Sequence, residues 1–189
     1  MSLRIANREF APRLWAALLT VAVLAVAVAL GWWQVGRARE KQAMVESFQR
    51  GTQSSVELRG DVTVDELPRY QHVRAEGHYE PARQVLLDNM PSQAGLPGFR
   101  VLTPFRREGG ERLLLVDRGW VPLGATRQDL PPVFVSPEFR AVSGRLDTLP
   151  APGVRVGDAG MAGDTSWPRV LNFPQPQDIE KVLGAGVEA

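Results

Sequence analysis

Residues Leu14 to Gly36 contain no charged side chain in 23 positions, and most of them are Leu, Val or Ala. No other feature constrains the chain so tightly. As a helix the run is about 34 Å long, enough to cross a hydrocarbon core of about 30 Å. Backbone amides inside a bilayer must be satisfied within the segment, so an unbroken apolar run of this length favours a spanning helix. Arg13 and Arg37 close its ends. Trp15 marks one boundary and Trp32-Trp33 the other, where amphipathic rings prefer headgroup depth. The run reads as a membrane anchor. The competing reading is a cleavable secretory signal, with Arg4, Arg8 and Arg13 as its basic region and Ala25-Val26-Ala27 or Ala27-Val28-Ala29 as its cleavage site. Against it, the apolar run continues beyond those alanines and a basic cluster follows at once, like a stop-transfer flank. Arg37, Arg39 and Lys41 balance the three arginines before the helix, so the positive-inside count chooses no orientation.

Residues 1–41 carry six basic and two acidic side chains, which leaves 16 basic and 19 acidic ones for the remaining 148 of 189 residues. A basic anchor suits anionic lipid. A mildly acidic remainder disfavours nucleic acid, because neutralising phosphates needs a clustered basic face. Its length suits one ordinary domain. With no cysteine there are no disulfides, thiolate metal sites, thiol catalysis or thioether haem attachment. His72 and His78 alone do not make an ordinary three- or four-ligand zinc site.

The chain divides into a short polar N-terminus (1–13), the transmembrane helix (14–36), a juxtamembrane helix (37–51) and an extramembrane β domain (52–189). Ala38 to Arg50 continues with good helix formers until Gly51 supplies a stop signal. Thr52 to Pro68 reads as an irregular, mostly polar connection. From Tyr70 the period becomes two: Val73, Ala75, Gly77 and Tyr79 alternate with His72, Arg74, Glu76 and His78, the mark of a strand with one buried face. Gln84 to Asn89, Phe99 to Phe105 and Glu111 to Asp117 are further strands, the last two joined by a Gly-containing hairpin connection. Arg118 to Pro122 is expected to leave the sheet, Phe139 to Leu146 to form a looser strand, and Pro150 to Pro168 a long loop. Pro176 to Leu183 carries helix signals, with Pro at its start, Asp178 in its first turn and Gly184 after its end. The expected class is mainly β: one N-terminal transmembrane helix, an antiparallel sheet or barrel-like domain of about five strands, and a short C-terminal helix.

Candidate chemistry is sparse. On one strand His72 and His78 share a face about 20 Å apart, too far to hold one metal ion together. Asp88 and Asp117 follow apolar strands, where Asp usually bonds turn amides, and a catalytic pair is the lesser reading. No Gly-rich phosphate loop or nucleophile elbow occurs, and Met44, Met90 and Met161 are too scattered for soft-metal handling. Arg118 has two readings: a guanidinium at a sheet edge, paired with a carboxylate and stacked on an aromatic, or a clamp for a carboxylate or propionate ligand. Gln34 is either a boundary polar residue or a hydrogen-bonding partner for another helix. A membrane-retained hydrolase lacks a convincing nucleophile–base pair. No catalytic residue is assigned, and the chain reads as a non-enzyme.

Several motifs resemble one family. Leu30-Gly31-Trp32-Trp33-Gln34-Val35-Gly36-Arg37 resembles the LGxWQxxR signature of the surfeit locus protein 1 family, the cytochrome c oxidase assembly factors. Tyr70 to Tyr79 is similar to that family's YRxVxxxGxF/Y strand, and Val101-Leu102-Thr103-Pro104-Phe105 to its VxTPF motif. Leu115 to Pro122 is similar to its LVNRGWVP motif, with Asp117 where Asn is usual. The resemblance implies an integral protein of the bacterial inner membrane, or of the mitochondrial inner membrane in a eukaryote, with its β domain on the periplasmic or intermembrane side. It also implies a role in building the haem a centre of subunit I, with cytochrome c oxidase subunit I and haem a synthase as partners and haem a as a transient cofactor. A membrane-tethered scaffold without haem contact is the alternative. The family's second membrane helix and its haem-ligating histidine have no counterpart up to Ala189, so the resemblance transfers no ligand. Gly31, Trp33, Gln34 and Arg37 on the anchor, with Arg118 and Trp120 on the outer domain, are the candidate partner contacts.

Overall fold

The computed structural model describes residues 3–5, 8–10, 13–60, 62–126, 129–151 and 166–188. The chain divides into two compact units, Met1–Ser47 and Phe48–Ala189. In the first, β1 (Leu3–Ile5) and β2 (Arg8–Phe10) pair antiparallel, where the sequence reads only as a short polar stretch. One helix, α1 (Leu14–Gln53), carries both the apolar run and its juxtamembrane continuation without a break. Over Leu14–Gly51 it is long and apolar enough to cross a membrane, and none of its most apolar window is buried by the rest of the protein.

The second unit is built on a sheet of eight strands: β3 (Ser55–Glu57), β4 (His72–Tyr79), β5 (Val85–Leu87), β6 (Gly98–Arg107), β7 (Leu113–Pro122), β8 (Arg140–Arg145), β9 (Arg169–Leu171) and β10 (Val187–Glu188). The spatial order is β10-β7-β6-β4-β3, with β5 on the same edge of β6 further along, β9 on β5, and β8 on the other edge of β4. The antiparallel skeleton β4-β6-β7 matches the sequence reading. Added to it are three short parallel pairs, β3 with β4, β9 with β5 and β10 with β7, so the sheet is mixed and wider than the five strands expected. It is barrel-like but does not close: beyond Leu114 the outer edge of β7 has no strand partner among the described residues, and β8 pairs only with β4.

The alternation on β4 holds throughout. Val73, Ala75, Gly77 and Tyr79 are buried, while His72, Arg74, Glu76 and His78 face outward. β6 is buried on both faces apart from Arg100 and Arg106. Leu102 enters one core cluster with Val85, Leu87, Leu113, Ile179, Leu183 and Val187. Phe99 and Val101 enter a second with Leu86, and Phe105 a third with Val73, Ala75, Tyr79 and Leu114. Burying each such side chain contributes roughly 1.5–3 kcal/mol, so β6 is the strand on which the domain condenses. Where β4 crosses β6, a Cβ on Gly77 would lie 2.1 Å from the Arg106 carbonyl oxygen and 2.8 Å from the Arg107 Cα. Only glycine allows the two backbones that close.

Arg118 to Pro122 does not leave the sheet. β7 keeps its pairing by inserting one extra residue: Leu102 lies opposite Asp117, yet Arg100 lies opposite Trp120. Gly119, at φ 105°, takes the backbone conformation this bulge requires. The signal read as a strand end is therefore a kink inside a longer strand. The expected hairpin between β6 and β7 and the looser strand β8 are present. Most of the long loop expected from Pro150 to Pro168 lies outside the described residues, and Arg169–Leu171 beyond it is a strand. α2 occupies Pro176–Leu183 as expected: the Gln175 N–H donates to the Asp178 carboxylate over 2.9 Å, and Gly184 ends the helix at φ 65°.

Candidate functional site

On α1 the four candidate contacts, Gly31, Trp33, Gln34 and Arg37, are all exposed. A Cβ on Gly31 or Gly36 would meet nothing within 4 Å, so both positions stay open to close approach by another helix.

In the β domain the bulge of β7 aims Arg118 across the sheet. One terminal nitrogen, Nη1, donates to Gln84 Oε1 over 2.9 Å and to the Val133 carbonyl over 2.7 Å. The other, Nη2, donates to the Phe134 carbonyl over 3.0 Å. Gln84 in turn accepts from the buried Thr103 hydroxyl of β6 over 3.0 Å. The sequence allowed Arg118 a carboxylate partner, but no ion pair joins it to one among the described residues. Its bonds go to neutral oxygens, so it straps the segment around Val133–Phe134 to β5, β6 and β7. Its guanidinium carbon also lies 6.0 Å from the centre of the Tyr79 ring, with that of Arg140 at 5.7 Å from the same ring. Burial raises the Tyr79 hydroxyl above its ordinary value of 10.0, while the two arginines pull it back. Phe134 projects into solvent at 81 % exposure beside this cluster.

Trp120 is half-buried, and its indole N–H donates to the Met90 carbonyl over 2.8 Å. Its ring covers Gly98, where a Cβ would come within 2.5 Å of it. The remaining polar candidates are engaged locally. His72 Nδ1 meets Ser55 Oγ at 3.2 Å, and His78 Nδ1 meets the Pro137 carbonyl at 3.1 Å with its ring against Phe139. Asp88 accepts from the Asn89 N–H, and Asp117 accepts from the Gly119 N–H and pairs with Arg100 at 2.6 Å. These are the turn and bulge roles expected of aspartates at such positions. No group of three or more His, Asp or Glu able to hold a metal ion occurs among the described residues.

Two features escaped the sequence reading. One is a buried ion pair: Arg107 and Glu188, with side chains 2 % and 1 % exposed, meet at 2.7 Å, and Arg107 also donates to the Gly60 carbonyl over 3.1 Å. The other is a cleft of about 610 Å³ where the sheet stays open between β7 and β8, walled by Leu114, Val116, Val142 and Leu146. Neither has a local sequence signature, because both are assembled from residues far apart in the chain.

The class that emerges has a helix long and apolar enough to cross a membrane, continuing into a small mixed-β domain whose polar residues serve architecture. The family model described as the SURF1 family matches residues 21–188, and the chain belongs to that family. It is similar to a SURF1-like protein of Rickettsia bellii, 32% identical over 97 residues that make up 50% of this chain and 39% of that protein. A SURF1-like protein of Caenorhabditis elegans is 25% identical over 162 residues, 72% of this chain and 46% of the relative. The chain thus spans less than half the length of these curated relatives. The resemblance drawn from the motifs stands, and the structure adds their arrangement. The three outer-domain motifs are the adjacent strands β4, β6 and β7, with Tyr79 opposite Phe105 and Phe105 opposite Leu114.

Proposed function

We propose that the chain is a non-enzymatic assembly factor for cytochrome c oxidase, a membrane-tethered β domain that assists haem a insertion into, or stabilisation in, subunit I. The observation that carries this reading is the family match from residue 21 to 188, which takes in the end of the apolar helix and the three motif strands together. The helix holds the domain at the bacterial inner membrane on its periplasmic face, or at the mitochondrial inner membrane in a eukaryotic source. Gly31, Trp33, Gln34 and Arg37 meet the helices of subunit I or of haem a synthase. Arg118 and Trp120 serve the partner indirectly, by holding in shape the surface that carries Phe134 and the loop at Met90. Haem a is a transient ligand in this reading.

The test is the haem a absorbance of the oxidase in membranes of cells lacking this chain. A deficit restored by the wild type, and restored poorly by the double variant Gln34→Ala, Arg37→Gln, supports the proposal. Full absorbance in the null cells overturns it. A second reading is a tethered scaffold without haem contact. Co-purification of oxidase subunits with a chain that shows no Soret band would select that reading.

A further inference from the structure

We propose that the cleft between β7 and β8 binds an amphiphile with one long hydrocarbon chain and an acidic head, a carboxylate or a phosphate. The inference rests on the β domain itself and needs neither haem nor oxidase.

The cleft measures about 610 Å³, and Val73, Leu102, Leu114, Val116, Val142 and Leu146 supply its aliphatic walls. Protein interiors are close-packed, and an aliphatic surface facing unfilled space forfeits the contacts that justify its burial. Pockets of roughly 300–1,000 Å³ with apolar walls and a few convergent polar groups are the usual form of a small-ligand site. The space is built into the register. Gly144 of β8 lies directly opposite Val73 of β4 and lines the cleft at its exposed mouth. A Cβ at Gly144 would meet nothing within 4 Å. Its φ also lies outside the range that favours glycine, so no backbone requirement explains a missing side chain there. The gap persists because β7 and β8, which would close the sheet, do not pair.

The head chemistry follows from two ion pairs in the lining. Arg69 meets Asp147 at 2.6 Å with side chains 48% and 58% exposed, and Arg100 meets Asp117 at 2.6 Å with side chains 48% and 37% exposed. Ion pairs this wet contribute little to stability, so either guanidinium can exchange its aspartate for a ligand head. The planar fork of arginine then takes a carboxylate or phosphate through two parallel hydrogen bonds.

The experiment uses the full chain in lipid nanodiscs and a stearic acid bearing a photoreactive diazirine on its chain, with labelled peptides mapped by mass spectrometry. Labelling within α1 from the surrounding lipid is the internal standard. The expected result is label on the peptides holding Leu114–Val116 and Val142–Leu146. That label should fall about tenfold in Gly144→Phe, by an intermediate factor in Gly144→Leu, and hardly at all in Gly144→Ala, with the α1 label constant. Unchanged amide-exchange protection of β4 certifies the fold of each variant, and Gly144→Leu carries the comparison should Gly144→Phe lose it. Competition by oleate identifies an acyl carboxylate as the better ligand, and competition by farnesyl phosphate an isoprenyl phosphate. Label confined to α1, equal label in wild type and the leucine variant, or displacement by haemin with neither chain compound competing, overturns the proposal.

Discussion

Replacing Arg107 by methionine should destabilise the β domain by about 3–5 kcal/mol, because it leaves the buried Glu188 carboxylate without its cationic partner. The geometry sets that magnitude. Both side chains are essentially inaccessible, at 2 % and 1 % exposure. Arg107 donates to Glu188 Oε1 twice, over 2.7 Å from Nη2 and 3.3 Å from Nε. The second oxygen, Oε2, is buried with no hydrogen-bond partner among the described residues, so Arg107 supplies the carboxylate's side-chain contacts there. A domain of this size has about 5–15 kcal/mol in total, and the single variant should consume a large part of it. Removing both charges, in Arg107→Met with Glu188→Leu, should recover most of the loss, since a buried pair roughly breaks even against apolar residues of similar volume. The Gly60 carbonyl, which accepts from Arg107 over 3.1 Å, loses its partner in both variants and sets a residual cost of about 1 kcal/mol. Amide exchange of the β6 and β7 backbone in the full chain reads this out. Exchange should quicken by roughly two to nearly four powers of ten in the single variant and return to near wild type in the double. A double variant as unstable as the single would refute the reasoning, since the cost would then lie in shape and not in an unpaired charge.

Three further outcomes follow from the same contacts. Arg118→Ala releases the Gln84, Val133 and Phe134 oxygens at once and should cost about 2–3 kcal/mol. Protease cleavage between residues 129 and 139 should appear first, with Arg118→Lys rescuing little because an ammonium does not span the three acceptors. Gly77→Ala should cost about 3 kcal/mol or more by driving a methyl into the Arg106 carbonyl, visible as lost exchange protection at the β4–β6 crossing. Tyr79 ionises in the unfolded chain near its ordinary value of 10.0 but later in the folded domain. Its contribution to stability is therefore intact below that pH and is lost as pH rises through and above it. Tyr79→Phe should flatten this part of the alkaline unfolding curve.

The apolar helix, β4 and α2 were legible in the sequence because each carries its own period or caps: an unbroken greasy run, strict alternation from His72 to Tyr79, and Pro176, Asp178 and Gly184 in their places. β3, β9 and β10 were not. Each has three residues or fewer, too short for a period to show, and each exists because a neighbouring strand offers an edge. Arg118 to Pro122 misled for a related reason. Gly119 is a break signal when read locally, and only the register against β6 shows it to be a bulge. At the candidate site, Arg118 stood out by its neighbours in sequence. Its partners Gln84 and Val133 belong to segments that nothing in the local pattern brings together.

The pairing of Arg107 with a residue 81 positions later has a consequence for how the protein is made. While β6 and β7 leave the ribosome, Leu87, Leu102 and Leu113 wait for Ile179, Leu183 and Val187, which complete their cluster. A nascent chain halted before Ile179 would contain every recognisable motif and still present an uncovered greasy face, an invitation to chaperones and proteases. Synthesis of the stretch from Ile179 to Val187 is thus the step that covers this face, long after the apolar helix has left the ribosome.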